Sequence, residues 1–414
     1  MNLPAPMSEP HSFAQALPTE LDKILEPLPA IMAEIAKDAA RRERERILPH
    51  SAFALLRATR LGSLRIPAAL GGAGASIRQT LAVVSQLAAA DSNVAHAMRS
   101  HFNAVETLLL SPAGRLDRYI ASILTGELLG GAHTERGSTR PGEVRTRLTR
   151  RDGGYRLNGQ KYYATGAAFA DRIFISAVDE EGRPASVEIQ PNRKGVRIAD
   201  DWDAVGQRLT SSGSIVLEDV QVSADEVEWR DTLEPEDEAG RHAATFRQLY
   251  LAACQAGIVR NVLSDAIEFV KKTARTITHG HTDRATDDMF VQRTLGLISA
   301  RSFAIDALVD NAAGHIDLAF SAIMDKNSAA GPLLEESALA TAKAQAVIGE
   351  LALAAASGIF DTGGGSVTSR SFNFDRHWRN IRTLLCHNPN DYKLKVIGAH
   401  SLKGEPPPLS GGFF

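Results

Sequence analysis

Histidines are the residues of this sequence whose type and surroundings most readily suggest chemistry. Imidazole exchanges protons near neutral pH, so a well-placed histidine can act as an acid or a base. His387 stands after a charged and aromatic run, whereas His96 and His101 lie in a stretch of alternating apolar and polar residues with helical spacing. Taken alone, each is explained at least as well as a core, surface or helix-end residue. Their meaning depends on the elements that hold them.

Three zones with different hydrophobic periodicity must position these side chains. The first zone is helical, because apolar residues recur at the spacing of one helix face, as at Ile77, Leu81, Val84 and Leu87. The second zone has short β-favouring runs, and its pairs Gly153-Gly154 and Asn158-Gly159 predict hairpins because such turns need positive φ. In the third zone helical periodicity returns, with an apolar stripe at Ile258, Val262, Ala266 and Phe269.

This pattern predicts the order of domains. A long alanine-rich helix from Glu336 to Phe360 suits a closely packed bundle. We expect an N-terminal helical domain at 19–128, a central β domain at 129–232, a C-terminal helical bundle at 233–405 and a tail at 406–414. The glycines Gly71 to Gly74 lie between helices rather than after a strand, so they do not predict a dinucleotide-binding turn.

Composition excludes several classes of protein. The net charge of −3 gives no reason to expect nucleic acid or an anionic membrane as a partner. Cys254 and Cys386 form neither a disulfide framework nor a zinc motif, and no signal peptide or run of membrane-spanning length is visible, which predicts a cytoplasmic protein. The histidines and aspartates between His279 and Asp288 lack closed tetrahedral spacing, so no metal site is predicted.

The helix–sheet–helix order and several local motifs resemble the acyl-CoA dehydrogenase superfamily across nearly the whole chain. The resemblance implies an α+β, mainly α fold: an N-terminal helical domain, a β-barrel-like domain and a four-helix bundle. The motifs that carry it are Gly62 to Gly74, Thr134-Glu135 with Gly137-Ser138, and Gly159-Gln160-Lys161 with Ala164-Thr165-Gly166.

The C-terminal region resembles one branch of that superfamily, the reduced-flavin monooxygenases of the dibenzothiophene monooxygenase type. The motifs that carry this likeness are Asp375 to Thr383, His387-Asn388-Pro389, Tyr392-Lys393, and Asp201-Trp202 with Gly206 to Ser214. A dehydrogenase commonly carries a Tyr-Glu-Gly stretch near this place and Phe-Gly after the arginine matching Arg275, and neither occurs here. The resemblance therefore implies FMN and oxygen rather than FAD.

This resemblance implies an FMNH2-dependent monooxygenase, in which a flavin C4a-hydroperoxide formed with O2 oxygenates a sulfur or nitrogen atom of a small organic substrate. A separate NAD(P)H:flavin reductase would supply FMNH2, and the protein would form a homodimer or homotetramer. The roles that it implies are proton handling by His387 and His101, flavin binding by Thr134, Thr165, Trp202, Ser212 and Arg275, and a substrate pocket that includes His96, His133 and Leu384.

The sequence departs from the branch at several positions. Leu384 stands where the sulfur oxygenases commonly have another histidine, Gly131 where they often have asparagine, and His133 where a small hydroxyl residue is usual. Dibenzothiophene itself is therefore not assumed as the substrate. Two alternatives stay open at this point: an FAD-dependent acyl-CoA dehydrogenase with a displaced catalytic acid, and a non-catalytic flavin-fold subunit.

Overall fold

The computed structural model describes residues 19–112, 114–137, 143–151, 153–231, 237–277 and 279–408. Helices alone occupy the described chain before the first strand. They are α1 Glu20–Leu25, α2 Leu28–Lys37, α3 Ala39–Glu45, α4 His50–Ala58, α5 Ile77–Ala97, α6 Arg99–Leu109 and α7 Asp117–Leu124. The apolar stripe predicted for this zone is the buried face of α5. The helical prediction is confirmed.

Helix α5 bends sharply at Asp91, whose φ of −155° and ψ of 108° are not helical. The Asp91 carboxylate accepts hydrogen bonds from Nη2 of the buried Arg42 at 2.9 Å and from the Asn93 backbone N–H at 3.0 Å. These bonds stabilise an arrangement that a regular helix would not permit. As a result, the last turn of α5 diverges from its first part, and it carries Ser92 and His96.

The central zone forms one eight-stranded sheet, in the order β6-β7-β3-β2-β4-β5-β8, with β1 parallel to β4. The strands are β1 Leu129–Ala132, β2 Arg147–Arg151, β3 Gly154–Lys161, β4 Arg172–Val178, β5 Pro184–Ile189, β6 Val196–Ile198, β7 Ile215–Val222 and β8 Val227–Trp229. The hairpin predicted at Gly153-Gly154 is confirmed, since β2 and β3 pair antiparallel from Arg151 and Gly154.

The second predicted hairpin, at Asn158-Gly159, is wrong. Both residues lie inside β3, where the pairing with β7 shifts register between Leu157 and Gly159. Gly159 has a φ of 155°, and a Cβ there would lie 2.5 Å from Oγ1 of Thr146. The glycine therefore serves a β-bulge and a close approach of two strands instead of a turn.

The C-terminal zone is again helical in the described residues, with α8 Glu238–Lys272, α9 Met289–Met324, α10 Ala330–Gly358, α11 Asp375–Leu385 and α12 Asn390–Lys403. Helix α10 begins at Ala330 rather than at Glu336. The segment Ala330–Thr362 is long enough to cross a membrane, and an 18-residue stretch within it has a mean hydropathy of 1.2. This corrects the expectation that no run approaches that length. Half of that stretch is buried, and α10 packs against α8 and α9, as a bundle helix does.

Candidate active site

The loop between β6 and β7 meets the bend of α5 and the middle of α11. The Gln207 backbone N–H donates to Oδ1 of Asn380 at 2.6 Å. The side-chain amides of Gln207 and Asn380 both donate to Oγ of Ser92 at 3.2 Å. Gly206 lies against the backbone of Arg379 and leaves no space for a Cβ. All three zones of the chain therefore meet at this loop.

The same loop carries hydroxyl groups that face the strand end after β3. Oγ of Ser212 is 2.8 Å from Oγ1 of Thr165 and 2.6 Å from Oγ1 of Thr210. Ser100, in the first turn of α6, donates to the Thr165 carbonyl at 2.7 Å. Thr165 and Ser212, two of the predicted flavin-binding residues, are thus brought together beside α6.

Trp202 lies next to this hydroxyl cluster. Its indole Nε1 donates to the Gln207 carbonyl at 2.8 Å, and its ring meets the ring of Tyr163 edge-on at 6.0 Å. Tyr163 has a φ of 61° and is exposed. An aromatic residue in the left-handed region is strained, and such strain is common near ligand sites.

His387 takes part in a polar chain that crosses from α6 to α8. Arg99 Nη1 lies 3.3 Å from Nε2 of His387, Nδ1 of His387 lies 3.1 Å from Oδ1 of Asn388, and the Asn388 amide donates to Oε1 of Gln248 at 2.7 Å. Because a guanidinium only donates, Nε2 must accept and the ring proton lies on Nδ1. The pKa of His387 is lowered to about 3, first by burial of the ring and then by the charge of Arg99, although much of the side chain stays exposed. In this arrangement the ring is neutral at pH 7, and its role in proton handling stays a prediction.

Two of the predicted pocket histidines lie in the same electrostatic environment. Burial lowers the pKa of His96 to about 3, with Arg99 adding to the effect, and Nδ1 of His96 is buried without a hydrogen-bond partner. The pKa of His133 is likewise lowered to about 3, by burial of the ring and then by the charges of Arg230, Lys161 and Arg247, although much of the side chain is exposed. We call His96, Arg99, His133, Arg247 and His387 the histidine–arginine cluster.

Helix α11 is anchored to the bundle, and this fixes the segment that leads to His387. The Asp265 carboxylate on α8 accepts from Nη2 of Arg376 at 2.6 Å and lies 2.8 Å from Nε2 of His377. Burial lowers the pKa of His377 to about 4, so at neutral pH the ring is neutral and donates to the carboxylate. No local sequence pattern pairs Asp265 with α11, because Arg376 lies 111 residues further along the chain.

His101 does not have the geometry of a proton carrier, which corrects the expectation from sequence. It is 1% exposed, its Nε2 lies 2.9 Å from the Gly62 carbonyl, and its Nδ1 accepts from the Leu129 N–H at 3.0 Å. Both ring nitrogens are thus used by backbone groups, and burial lowers the pKa to about 4. Its contacts join the start of β1 to the helical lobe.

The remaining predicted residues lie apart from the cluster or flank it. Leu384 is 3% exposed and packs in the largest hydrophobic core, so it offers a ligand little surface, contrary to the expectation. Arg275 is exposed beyond the end of α8, and the helix between Gln248 and Lys272 is about 36 Å long at 1.5 Å per residue. Arg275 therefore cannot reach the cluster of its own chain.

Thr134 lies at the exposed rim beside His133, in a segment that is tied to the sheet. Glu135 accepts from Nζ of Lys161 at 2.6 Å and from Oγ1 of Thr146 at 2.8 Å. This buried ion pair between Glu135 and Lys161 holds the segment that the structure describes as far as Gly137. Ser138, part of the predicted flavin loop, lies outside the described residues.

Models of the acyl-CoA dehydrogenase family match three successive parts of the chain. The N-terminal domain matches residues 29–127, the middle domain 131–220 and the C-terminal domain 249–392. Dibenzothiophene monooxygenase of Rhodococcus erythropolis is 31% identical over 85% of this chain and 86% of its own length. The probable FMNH2-dependent monooxygenase SfnC of Pseudomonas putida is 28% identical over 97% of this chain and 98% of its own.

A solved structure agrees with these relatives. The methanesulfinate monooxygenase MsuC of Pseudomonas fluorescens superposes with a TM-score of 0.83 at 28% identity and covers 94% of this chain and 99% of its own. The chain belongs to the acyl-CoA dehydrogenase superfamily, in its flavin-dependent monooxygenase branch. The fold class and the family expected from sequence are confirmed.

The residues of the site fit FMN, the cofactor of this branch. The edge of an isoalloxazine ring has both donors and acceptors, and Nδ1 of His96, buried near Gln207 without a well-formed hydrogen bond, would offer it a polar group. The hydroxyls of Thr165 and Ser212 can serve as donor or acceptor. Trp202 supplies an aromatic wall near them. The set combines an apolar wall with few polar groups, as cofactor sites do.

Proposed function

We propose that this protein is the oxygenase component of a two-component FMNH2-dependent monooxygenase, which transfers one oxygen atom from O2 to a sulfur or nitrogen atom of a small organic molecule. The observation that carries the proposal is the polar chain from Arg99 through His387 and Asn388 to Gln248. It holds a neutral imidazole in a fixed tautomer beside the hydroxyl groups that suit a flavin. The relatives named above support the same reaction class.

The chemistry of the cluster disfavours desaturation of an acyl thioester. That reaction needs a base, usually a carboxylate, to remove an α-proton. No described carboxylate forms a hydrogen bond or an ion pair with His96, Arg99 or His387. The nearby helix α6 does carry the buried Glu106, but Arg65 and His242 both bind it. These partners outweigh the effect of burial, which opposes them, and hold the pKa of Glu106 at about 2.

Reduced FMN, when bound, supplies two electrons and activates O2. The chain's own residues have three tasks around it. Thr165 and Ser212 would orient the ring edge through their hydroxyls, while Trp202 would shield it from water. His387 holds a proton on Nδ1, shared with Oδ1 of Asn388, while its Nε2 accepts from Arg99 and would take up a proton only when that contact is released. In the proposed reaction, these atoms would exchange a proton with the oxygen atom that leaves as water.

The function implies a flavin reductase as partner, because a chain that uses FMNH2 needs a supply of it. We further propose a cytoplasmic homodimer or homotetramer. Helix α9 supports an assembly, since several of its large apolar side chains are exposed, namely Met289, Phe290, Phe303, Leu318 and Met324. Arg275, too far from its own cluster, would contact the flavin phosphate of a second subunit in such an assembly.

Oxygen transfer can be tested directly with labelled oxygen. The protein is supplied with NADH, FMN and a flavin reductase under 18O2, together with small sulfides, sulfinates or amines. We expect one 18O atom in the product and product formation coupled to FMNH2 consumption. The same mixture without the protein should give hydrogen peroxide and no labelled product. Absence of label from every substrate class would refute the proposal.

A further inference from the structure

We propose that the substrate of this site is a small organic oxoanion and that Arg99 binds its negatively charged group. The proposal rests on the proposed function and adds to it the substrate's charge and the residue that recognises it. A sulfinate would satisfy it, and so would a carboxylate attached to a thioether. Both present two oxygen atoms in a plane, which a guanidinium binds through two parallel hydrogen bonds.

Arg99 has donors left for such a ligand. It begins α6 and is half-buried. Its Nε donates to the Arg247 carbonyl at 3.2 Å and its Nη1 to Nε2 of His387 at 3.3 Å. A guanidinium has five N–H groups, so these two contacts leave donors on Nη1 and Nη2. Nη2 has no partner among the described residues, and it is not among their buried unpartnered atoms, so solvent reaches it.

The charge on Arg99 lacks a counter-ion within the described parts of the chain, where it forms no ion pair with a carboxylate. Burial and the neighbouring Arg247 lower its pKa to about 10, which still leaves it charged at neutral pH. The surrounding histidines are neutral. A guanidinium that is partly removed from water in this way gains most from an anion that enters with the substrate.

A neutral substrate would have the opposite effect. It would displace water from Arg99 without replacing the hydrogen bonds, and a charged group deprived of its partners is costly. Dibenzothiophene is such a neutral molecule. The chemistry of Arg99 therefore favours a charged substrate over a fused aromatic sulfide.

A sulfinate joins the two requirements in one group, because its oxygen atoms carry the charge and its sulfur has a lone pair. The new S–O bond forms from that lone pair while the O–O bond of dioxygen breaks. The second oxygen atom leaves as water with the two electrons and two protons of FMNH2, and the sulfinate becomes a sulfonate. For a thioether carboxylate, the same balance gives a sulfoxide.

Binding of an anion would also change His387. The anion would offset the positive charge of Arg99, which disfavours the protonated form of the His387 ring. The pKa of His387 would rise when the substrate binds. Proton exchange by His387 would then depend on the presence of a charged substrate, which couples recognition to oxygen transfer.

Titration calorimetry separates binding from turnover. The protein loaded with oxidised FMN is titrated with methanesulfinate, with methylthioacetate and with neutral dimethyl sulfoxide. We expect at least one of the two anions to bind and the neutral molecule to bind more weakly. In Arg99→Gln the affinity for that anion should fall about 10- to 100-fold, the range for a lost charged hydrogen bond. Arg99→Lys should restore part of it.

The controls test the fold and the specificity of the effect. Arg197→Gln removes an exposed arginine on β6 and should leave anion binding unchanged. FMN affinity and the unfolding temperature of Arg99→Gln should stay close to those of the unmodified protein. This inference would be overturned if Arg99→Gln bound the anion as tightly as the unmodified protein. It would also be overturned if neither anion bound while a neutral sulfide was oxygenated. Both results would leave the proposed function intact. If the unmodified protein transferred no 18O to any substrate, the proposed function itself would be overturned.

Discussion

His101 and His387 bring the same imidazole into two different surroundings. The ring of His101 is enclosed, and the groups that bind it are the backbone atoms of Gly62 and Leu129. The ring of His387 keeps an exposed edge, and its partners are the side chains of Arg99 and Asn388. Backbone partners fix the path of the chain, whereas side-chain partners can rearrange around a ligand. The comparison identifies a structural histidine and a candidate catalytic one.

The largest effect on activity is expected at His387. His387→Ala should lower the yield of oxygenated product per FMNH2 consumed by about 100-fold or more, the usual contribution of a positioned proton carrier. The yield is measured by chromatography against FMNH2 oxidation, and the far-UV circular dichroism should stay unchanged. His400→Ala, outside the cluster on α12, is the matched control. Full coupling in His387→Ala would remove the catalytic role of this residue.

The largest effect on stability is expected at His101. His101→Ala leaves the buried Gly62 carbonyl and the Leu129 N–H without partners, which costs about 2–6 kcal/mol at about 1–3 kcal/mol for each group. His101→Gln can still donate near the position of Nε2 and should lose less. Chemical denaturation of both variants measures the difference. If His101→Ala were as stable as the unmodified protein but impaired in oxygen transfer, the two histidines would have exchanged roles.

The pH dependence of the unfolding free energy should show a smaller effect of His101. His101 has a pKa of about 4 in the folded protein, below its ordinary value of about 6.5, so the unfolded chain binds the proton more readily. Its stabilising contribution is complete above pH 6.5 and is lost as the pH falls towards 4, by up to about 3 kcal/mol. Unfolding free energies between pH 7 and 4 should therefore fall less steeply in His101→Gln. An identical slope in both proteins would contradict this assignment.

The smallest effect is expected on FMN binding, when one of the hydroxyl groups near His387 is removed. Thr165→Val removes one neutral hydrogen bond near the flavin and should weaken FMN binding about threefold to tenfold, as for a loss of about 0.5–1.5 kcal/mol. Thr165→Ser keeps the hydroxyl and serves as the control. Quenching of FMN fluorescence measures both affinities. Equal affinities in Thr165→Val and Thr165→Ser would place the flavin away from this cluster.

Periodicity was sufficient to predict the order of helices and strands, because buried faces repeat at 3.6 or 2 residues. It failed at Asn158-Gly159, where a turn signal serves a bulge. The reason is a contact with Thr146, the residue immediately before strand β2, which leaves no space for a Cβ at Gly159. Such a contact exists only after the strands have paired, so no local pattern could reveal it.

The candidate site was predicted in part for a similar reason. His387, Thr165, Trp202 and Ser212 belong to motifs that resemble the branch, and their positions stay predictions of function. Arg99 carries no such motif, and it contacts His387 across 288 residues of sequence. His101 has the same residue type as His387, so only the identity of its partners could separate their roles.

The hydroxyl of Ser92 has a consequence for how the protein folds. Its two donors, Gln207 and Asn380, are 115 and 288 residues away along the chain. Contacts that close such long loops form late, because the chain loses the entropy of loop closure before the contact can stabilise it. The binding-competent cleft should therefore be the last region to become ordered on refolding, and detachment of α11 on heating should abolish it while the sheet stays intact.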